Sequence, residues 1–216
     1  MKYVYAPGCA LMIYKPELAQ MVHETLNRVL GDMELLDICC QNHPEIPAGT
    51  TVINTCPGCD RRYRQNYEKS STTSLWEVLS ESDFQFPDYG GEKMSILEAC
   101  PTRDQSRVHD AVRDLLVKMN IHVIEPEKTR EKGTCCGDSC YGRLQVEDVK
   151  DAMSRRASEM PVNNVVGYCV SCSKSMHIGG KKARYLVDLL FGEETDPKTF
   201  EPEEWHRQLE AYQKSH

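Results

Sequence analysis

Long hydrophobic runs are missing from this 216-residue chain. Ile121 to Ile124 and Tyr185 to Phe191 are the most apolar stretches, far below the roughly 18 to 20 residues a membrane helix needs. No transmembrane segment is therefore expected. Basic charge is also in deficit: 26 Lys and Arg stand against 33 Asp and Glu, a net charge of −7 with a pI near 5.5. A general nucleic-acid binder needs a basic surface, so that class is set aside. There is no GxGxxG fingerprint, which leaves no flavin or nicotinamide site in view. A ferredoxin-like four-cysteine run is absent too, so electrons would have to come from a partner protein such as a ferredoxin or ferredoxin-like subunit. Met1 to Tyr14 carries one Lys, and its apolar stretch is broken by Pro7 and Gly8. That is not the long apolar core of a signal peptide, and the expected location is the cytoplasm, where thiols stay reduced.

What remains is an ordinary globular composition, 40% hydrophobic and 27% charged, with one exception. Eleven of the 216 residues are cysteine. In a reducing compartment so many thiols point to metal binding or redox chemistry.

The cysteines are ordered. Set Cys140 aside and two sets of five remain. The first is Cys9, the pair Cys39-Cys40, and Cys56-Pro57-Gly58-Cys59. The second is Cys100, the pair Cys135-Cys136, and Cys169-Val170-Ser171-Cys172. Both read C…CC…CxxC, and the flanks agree. A strand-like segment precedes the first cysteine and the CxxC of each set, and an apolar run follows each CxxC at Leu75 to Leu79 and Leu186 to Leu190. This is an internal duplication, with a first repeat over 1–92, a second over 93–192 and a polar tail, partly helical around Trp205, over 193–216. The Cys136 to Cys169 interval holds a charged periodic stretch that reads as a helix. The Cys40 to Cys56 interval has no room for one, so the first repeat is shortened.

Short β-branched segments predict strands at Lys2 to Ala6, Leu35 to Ile38, Thr51 to Asn54, Ser95 to Glu98, Ile121 to Ile124 and Val162 to Gly167. Amphipathic periodicity predicts helices over Glu17 to Leu30, Arg103 to Met119 and Arg143 to Met160. The fold class is α/β: two pseudo-symmetric βαβ-type repeats with parallel sheets. The cysteines then fall at the C-terminal strand ends, where such sheets bind ligands.

The donor pattern narrows the chemistry. Zinc prefers cysteines separated by two to four residues. Adjacent cysteines on extended backbone point to opposite sides and suit different iron atoms of a larger cluster. Five thiolates exceed the four that one zinc or a cubane cluster takes.

The doubled C…CC…CxxC, with Cys135-Cys136-Gly137 spelling CCG, resembles the cysteine-rich CCG-domain family, to which the catalytic subunit of methanogen heterodisulfide reductase belongs. The resemblance spans about residues 1 to 190. It implies two non-cubane [4Fe-4S] clusters facing one another, with a disulfide substrate split between them. Carried over residue by residue, it implies Cys9, Cys39, Cys40, Cys56 and Cys59 as ligands of the first cluster. Cys100, Cys135, Cys136, Cys169 and Cys172 are implied for the second. The expected activity is that of an iron–sulfur-dependent thiol:disulfide oxidoreductase of an anaerobe, acting on a small disulfide or thiol. The alternative is a non-catalytic electron-transfer or zinc-binding scaffold subunit of a redox complex. The sequence departs from the motif at Gln41, which stands where the second repeat has Gly137, and in its short Cys40 to Cys56 interval.

Outside the ten cysteines, His43 and His177 are the candidate proton donors to a leaving thiolate. Lys174, Lys181, Lys182 and Arg184 form a candidate basic patch, and Cys140 reads as a spare small residue.

Overall fold

The computed structural model describes residues 2–196, 198 and 201–216. Positions 197, 199 and 200 of the expected tail, and Met1, lie outside the described residues. The chain is α/β and divides into two compact units: Met1–Phe84 with Arg207–His216, and Gln85–His206.

In the first unit β1 (Lys2–Ala6) leads through α1 (Cys9–Tyr14) and α2 (Pro16–Leu30) to β2 (Glu34–Leu35). Then follow β3 (Thr50–Asn54), α3 (Pro57–Asn66), β4 (Ser71–Ser74) and α4 (Leu75–Ser80). The strands form one all-parallel sheet in the order β2-β1-β3-β4. The five residues of β3 are all buried, as befits an inner parallel strand covered on both faces. Helix α2 begins with Pro16 at its first position, where proline's missing N–H costs nothing. It buries Leu18, Ala19, Val22 and Leu26 as one stripe. Ser74 and Glu77 form a reciprocal capping box that starts α4.

The second unit repeats this path. Its strands are β5 (Glu92–Leu97), β6 (Ile121–Ile124), β7 (Asn164–Gly167) and β8 (Lys182–Tyr185). They pair in parallel in the order β6-β5-β7-β8. The first sheet has the same order, so the duplication seen in the cysteines holds for the topology. Helix α5 (Ser106–Lys118) joins β5 to β6, α6 (Val146–Ser158) lies between β6 and β7, α7 (Val170–Ile178) joins β7 to β8, and α8 (Leu186–Leu190) follows. Helix α6 has no counterpart in the first unit, where a single 3-10 turn, Cys40–Asn42, precedes β3. Against α7, α6 packs closely: a side-chain carbon on Gly179 would collide with the Ala157 methyl.

The units divide after Phe84, ahead of the expected 92/93 boundary. Tyr89 accounts for this: its amide donates to the Met119 carbonyl and its hydroxyl to the Leu189 carbonyl, both in the second unit. The last helix, α9 (Pro202–Ser215), belongs with the second unit up to His206 and with the first from Arg207 onward. No helix among the described residues is long and apolar enough to cross a membrane.

Candidate metal centres

In both sheets the strand order reverses between the first strand and the third, which places the topological switch point there. Cys9 and Cys56 follow β1 and β3, and Cys100 and Cys169 follow β5 and β7. The CC pairs come in the connections after β2 and β6. Each CxxC spans the start of a helix, Cys56 capping α3 and Cys169 capping α7.

The structure brings together all five cysteines of each set. In the first unit the thiols hydrogen-bond in the chain Cys9–Cys39–Cys40–Cys59–Cys56. In the second the chain is Cys100–Cys135–Cys136–Cys172–Cys169, and the Cys172 thiol lies 3.3 Å from the Cys136 sulfur. The two chains match contact for contact. Among the described residues, no three His, Cys, Asp or Glu side chains are arranged to close on a single metal ion. All eleven cysteines are free of disulfides.

Packed thiols cannot all ionise. Hydrogen bonds from Cys40 and Cys9 draw the Cys39 thiol down to about 2. Its acceptor sulfur holds the proton on Cys40, pushed up to about 12, and pushes Cys9 far up as well. Cys56 is lowered to about 7 by Cys59 and by the backbone amides of Cys59 and Gly58 at the start of α3. In the second unit Cys135 is the low member, held by Cys100 and Cys136, and Cys100, Cys136 and Cys172 are all raised. In each unit the first sulfur of the CC pair is thus ready to be a thiolate while its two bonded neighbours keep their protons, and in the first unit Cys56 is lowered as well. A cationic centre displaces such protons on binding.

Backbone amides support the low-pKa sulfur of each pair. Gly137 N donates to Cys135 Sγ at 3.3 Å, and the Gln41 amide does the same for Cys39. Ser139 Oγ lies a further 3.0 Å from Cys135 Sγ. The substitution at 41 has a structural reason. Gly137 has φ +104, and a side-chain carbon there would sit 2.8 Å from the Met153 nitrogen of α6. The first unit has no helix in that place, and the Cys40–Asn42 turn keeps Gln41 at negative φ.

Gly8 is a site residue that spacing did not single out. Its φ is +79, and a side-chain carbon on it would lie 2.9 Å from Cys56 Cβ and 3.2 Å from Cys59 Sγ. Only glycine lets the Cys9 turn approach the CxxC this closely. Its second-unit counterpart, Ala99, has ordinary extended backbone.

Other candidates fall around these sets. His43 is exposed and closes the Cys40–Asn42 turn at φ 52. His177 sits in the last turn of α7 and bonds the Ala183 backbone. At 1.5 Å per residue, that puts it roughly 7.5 Å along the helix from Cys172. Cys140 ends the turn Asp138–Cys140 and is half-buried, outside the thiol chain just described. Lys174, Lys181, Lys182 and Arg184 do not form one basic surface. Lys174 and Arg184 are buried, with the Lys174 ammonium 4.6 Å from the Trp205 ring centroid. Lys181 donates to the Met160 and Val162 carbonyls. Helix α9 adds contacts at both sets. Within the second unit, Trp205 Nε1 donates to Ser171 Oγ inside the CxxC, and His206 Nε2 lies 3.2 Å from Asp138 beside the CCG. Within the first unit, the Cys39 amide donates to the His216 carbonyl.

No protein-family model matches the chain, and no curated protein matches it. Among solved structures, Picrophilus torridus aspartate racemase is similar over 88% of this chain and 91% of its own, at 10% identity and a TM-score of 0.35. At that level it identifies neither a family nor an activity.

Proposed function

We propose that each unit holds an iron–sulfur cluster through its five cysteines and that the protein is a thiol:disulfide oxidoreductase of the CCG-domain type, working in the cytoplasm of an anaerobe. The observation that carries the reading is the doubled thiol chain: two sets of five sulfurs, joined in the same order at the same sheet position. Five soft thiol donors in each set favour iron–sulfur ligation over a single closed zinc site. Cys9, Cys39, Cys40, Cys56 and Cys59 would hold one group; Cys100, Cys135, Cys136, Cys169 and Cys172 would hold the other. When bound, such groups supply one-electron transfer and an iron that binds sulfur.

The chain's own residues do the rest. Cys39 and Cys135 offer the first thiolate of each set. The amides of Gln41 and Gly137, and those at the start of α3, hold negative sulfur in place. Net disulfide reduction, RSSR + 2 e⁻ + 2 H⁺ → 2 RSH, takes two electrons, which a ferredoxin-like donor would supply. His43, exposed beside the first set, is the better placed of the two histidines to pass a proton to a leaving thiolate.

The test is anaerobic turnover. Dithionite-reduced protein is mixed with 2-hydroxyethyl disulfide and free thiol is counted. Catalytic thiol release that Cys56→Ser abolishes, with the second site's iron retained, supports the reading. Iron-loaded protein that is reduced and reoxidised without releasing thiol favours the electron-carrier alternative.

A further inference from the structure

A buried carboxylate lies behind the second sulfur set. Glu98, two residues before Cys100, is 1% exposed. Its carboxylate accepts from Arg113 Nη2 at 2.7 Å, from the Tyr168 hydroxyl at 2.6 Å and from the Arg130 amide at 3.3 Å. Two of the partners, Tyr168 and the Arg130 amide, lead to cysteine-bearing segments, and Arg113 anchors the carboxylate to α5. Tyr168 directly precedes Cys169, and its hydroxyl also lies 2.8 Å from Thr102 Oγ1, two residues after Cys100. Thr102 bonds back to the Ala99 carbonyl and lies 3.3 Å from His109 Nε2. The loop carrying Arg130 runs on to Gly133, where any side-chain carbon would be 2.9 Å from Glu98 Cβ. Arg103 Nε donates to the Gly133 carbonyl at 2.8 Å, two residues ahead of Cys135.

The first unit is braced differently: its buried carboxylate, Asp60, directly follows Cys59 and accepts from Asn54 Nδ2 at 3.0 Å and from Arg64 Nε at 2.8 Å. Pro7 stands two residues before Cys9, and Thr55 precedes Cys56. Directly ahead of Cys56 the buried link is a neutral one, Tyr5 to Thr55 at 3.0 Å.

We propose that Glu98 is the positioning residue of the second sulfur set: through Tyr168, Arg113 and the Arg130–Gly133 loop it holds the segments of Cys100, Cys135 and Cys169 in register before any metal binds. This rests on reading the five sulfurs as one metal site. A buried carboxylate with three donors keeps one geometry, since releasing any donor leaves a polar group unpaired. Removing its charge also makes a reduced, more negative centre easier to form. The two sites are thus built to differ.

The experiment uses full-length Glu98→Gln and Tyr168→Phe, both close to the native shape. Metal-free protein is pulsed with iodoacetamide and each cysteine is read by peptide mass spectrometry. Cys100, Cys135 and Cys169 should react roughly tenfold faster in both variants, with Cys9, Cys39 and Cys56 unchanged. In iron-loaded Glu98→Gln, one midpoint potential should rise and the other stay. Wild-type reactivity of the second set in both variants, or an equal rise at all ten cysteines, overturns the proposal. A wild-type protein that takes up no iron overturns the functional reading alone, because the alkylation pattern still decides the role of Glu98.

Discussion

Cys136 and Cys172 lie 36 residues apart in the chain with their sulfurs 3.3 Å apart. The contact joins the second member of the CC pair to the second member of the CxxC. Cys40 and Cys59 repeat it in the first unit. The first member of each pair meets the lone cysteine instead, Cys39 with Cys9 and Cys135 with Cys100. Adjacent residues thus serve different neighbours while their own thiols stay in contact, and Cys40 opens a 3-10 turn where opposed side chains on extended backbone were expected.

Cys136 is central to its chain of contacts and Cys140 is outside it. Cys136→Ser should therefore lose the iron of the second site, and Cys140→Ser should retain the parent content. Iron analysis of the two variants, purified anaerobically in parallel, reads both. A loss in Cys140→Ser equal to that in Cys136→Ser would make Cys140 a ligand.

Gly137 and Gln41 occupy the same motif position under different constraints. Gly137→Ala forces a side chain into φ +104 and against α6, so thermal unfolding should show a loss of about 1–3 kcal/mol or more. Gln41→Gly meets no such wall and should cost at most about 1 kcal/mol through unfolded-chain entropy. Equal effects would mean that α6 does not set the glycine requirement.

Lys174 gives the metal-free protein a defined pH dependence. Burial lowers its ammonium from 10.5 to about 8. Below about pH 8 both states carry the proton, and the cost of burying the charge is fully present. Between about 8 and 10.5 the folded state releases the proton while the unfolded chain keeps it, so this group's contribution to stability rises with pH. Lys174→Met should flatten that rise. Urea midpoints of wild type and variant at pH 7 and pH 10 measure it, and parallel curves would contradict it.

Much of the architecture was legible in the sequence. Lys2–Ala6 and Ile121–Ile124 match their expected bounds, because short β-branched runs flanked by polar or breaking residues carry a clear signal. The shortened first repeat followed from simple length. Strands β4 and β8 were not legible. Ser71–Ser74 and Lys182–Tyr185 are four residues long, with few apolar residues, and lie at sheet edges, where apolar patterning is weakest. The apolar runs after each CxxC proved to be helices α4 and α8. The strand expected over Leu35 to Ile38 is only Glu34–Leu35, since the exposed Asp37 and Ile38 lead into the cysteine turn.

At the sites, spacing identified which cysteines belong together but not their supports. Glu98 and Tyr168 are 70 residues apart, and no local pattern announces their bond. Gln41 could be seen to replace a glycine. That the glycine answers to Met153 of α6 needed the packing.

The most direct test of the two-centre reading is the metal and sulfide content of anaerobically prepared protein, with Cys9→Ser and Cys100→Ser alongside. The prediction is about eight irons and matching acid-labile sulfide per chain if each site holds a four-iron cluster, falling to about four in either variant. Zinc in place of iron, or about four irons that Cys9→Ser leaves untouched, would contradict it.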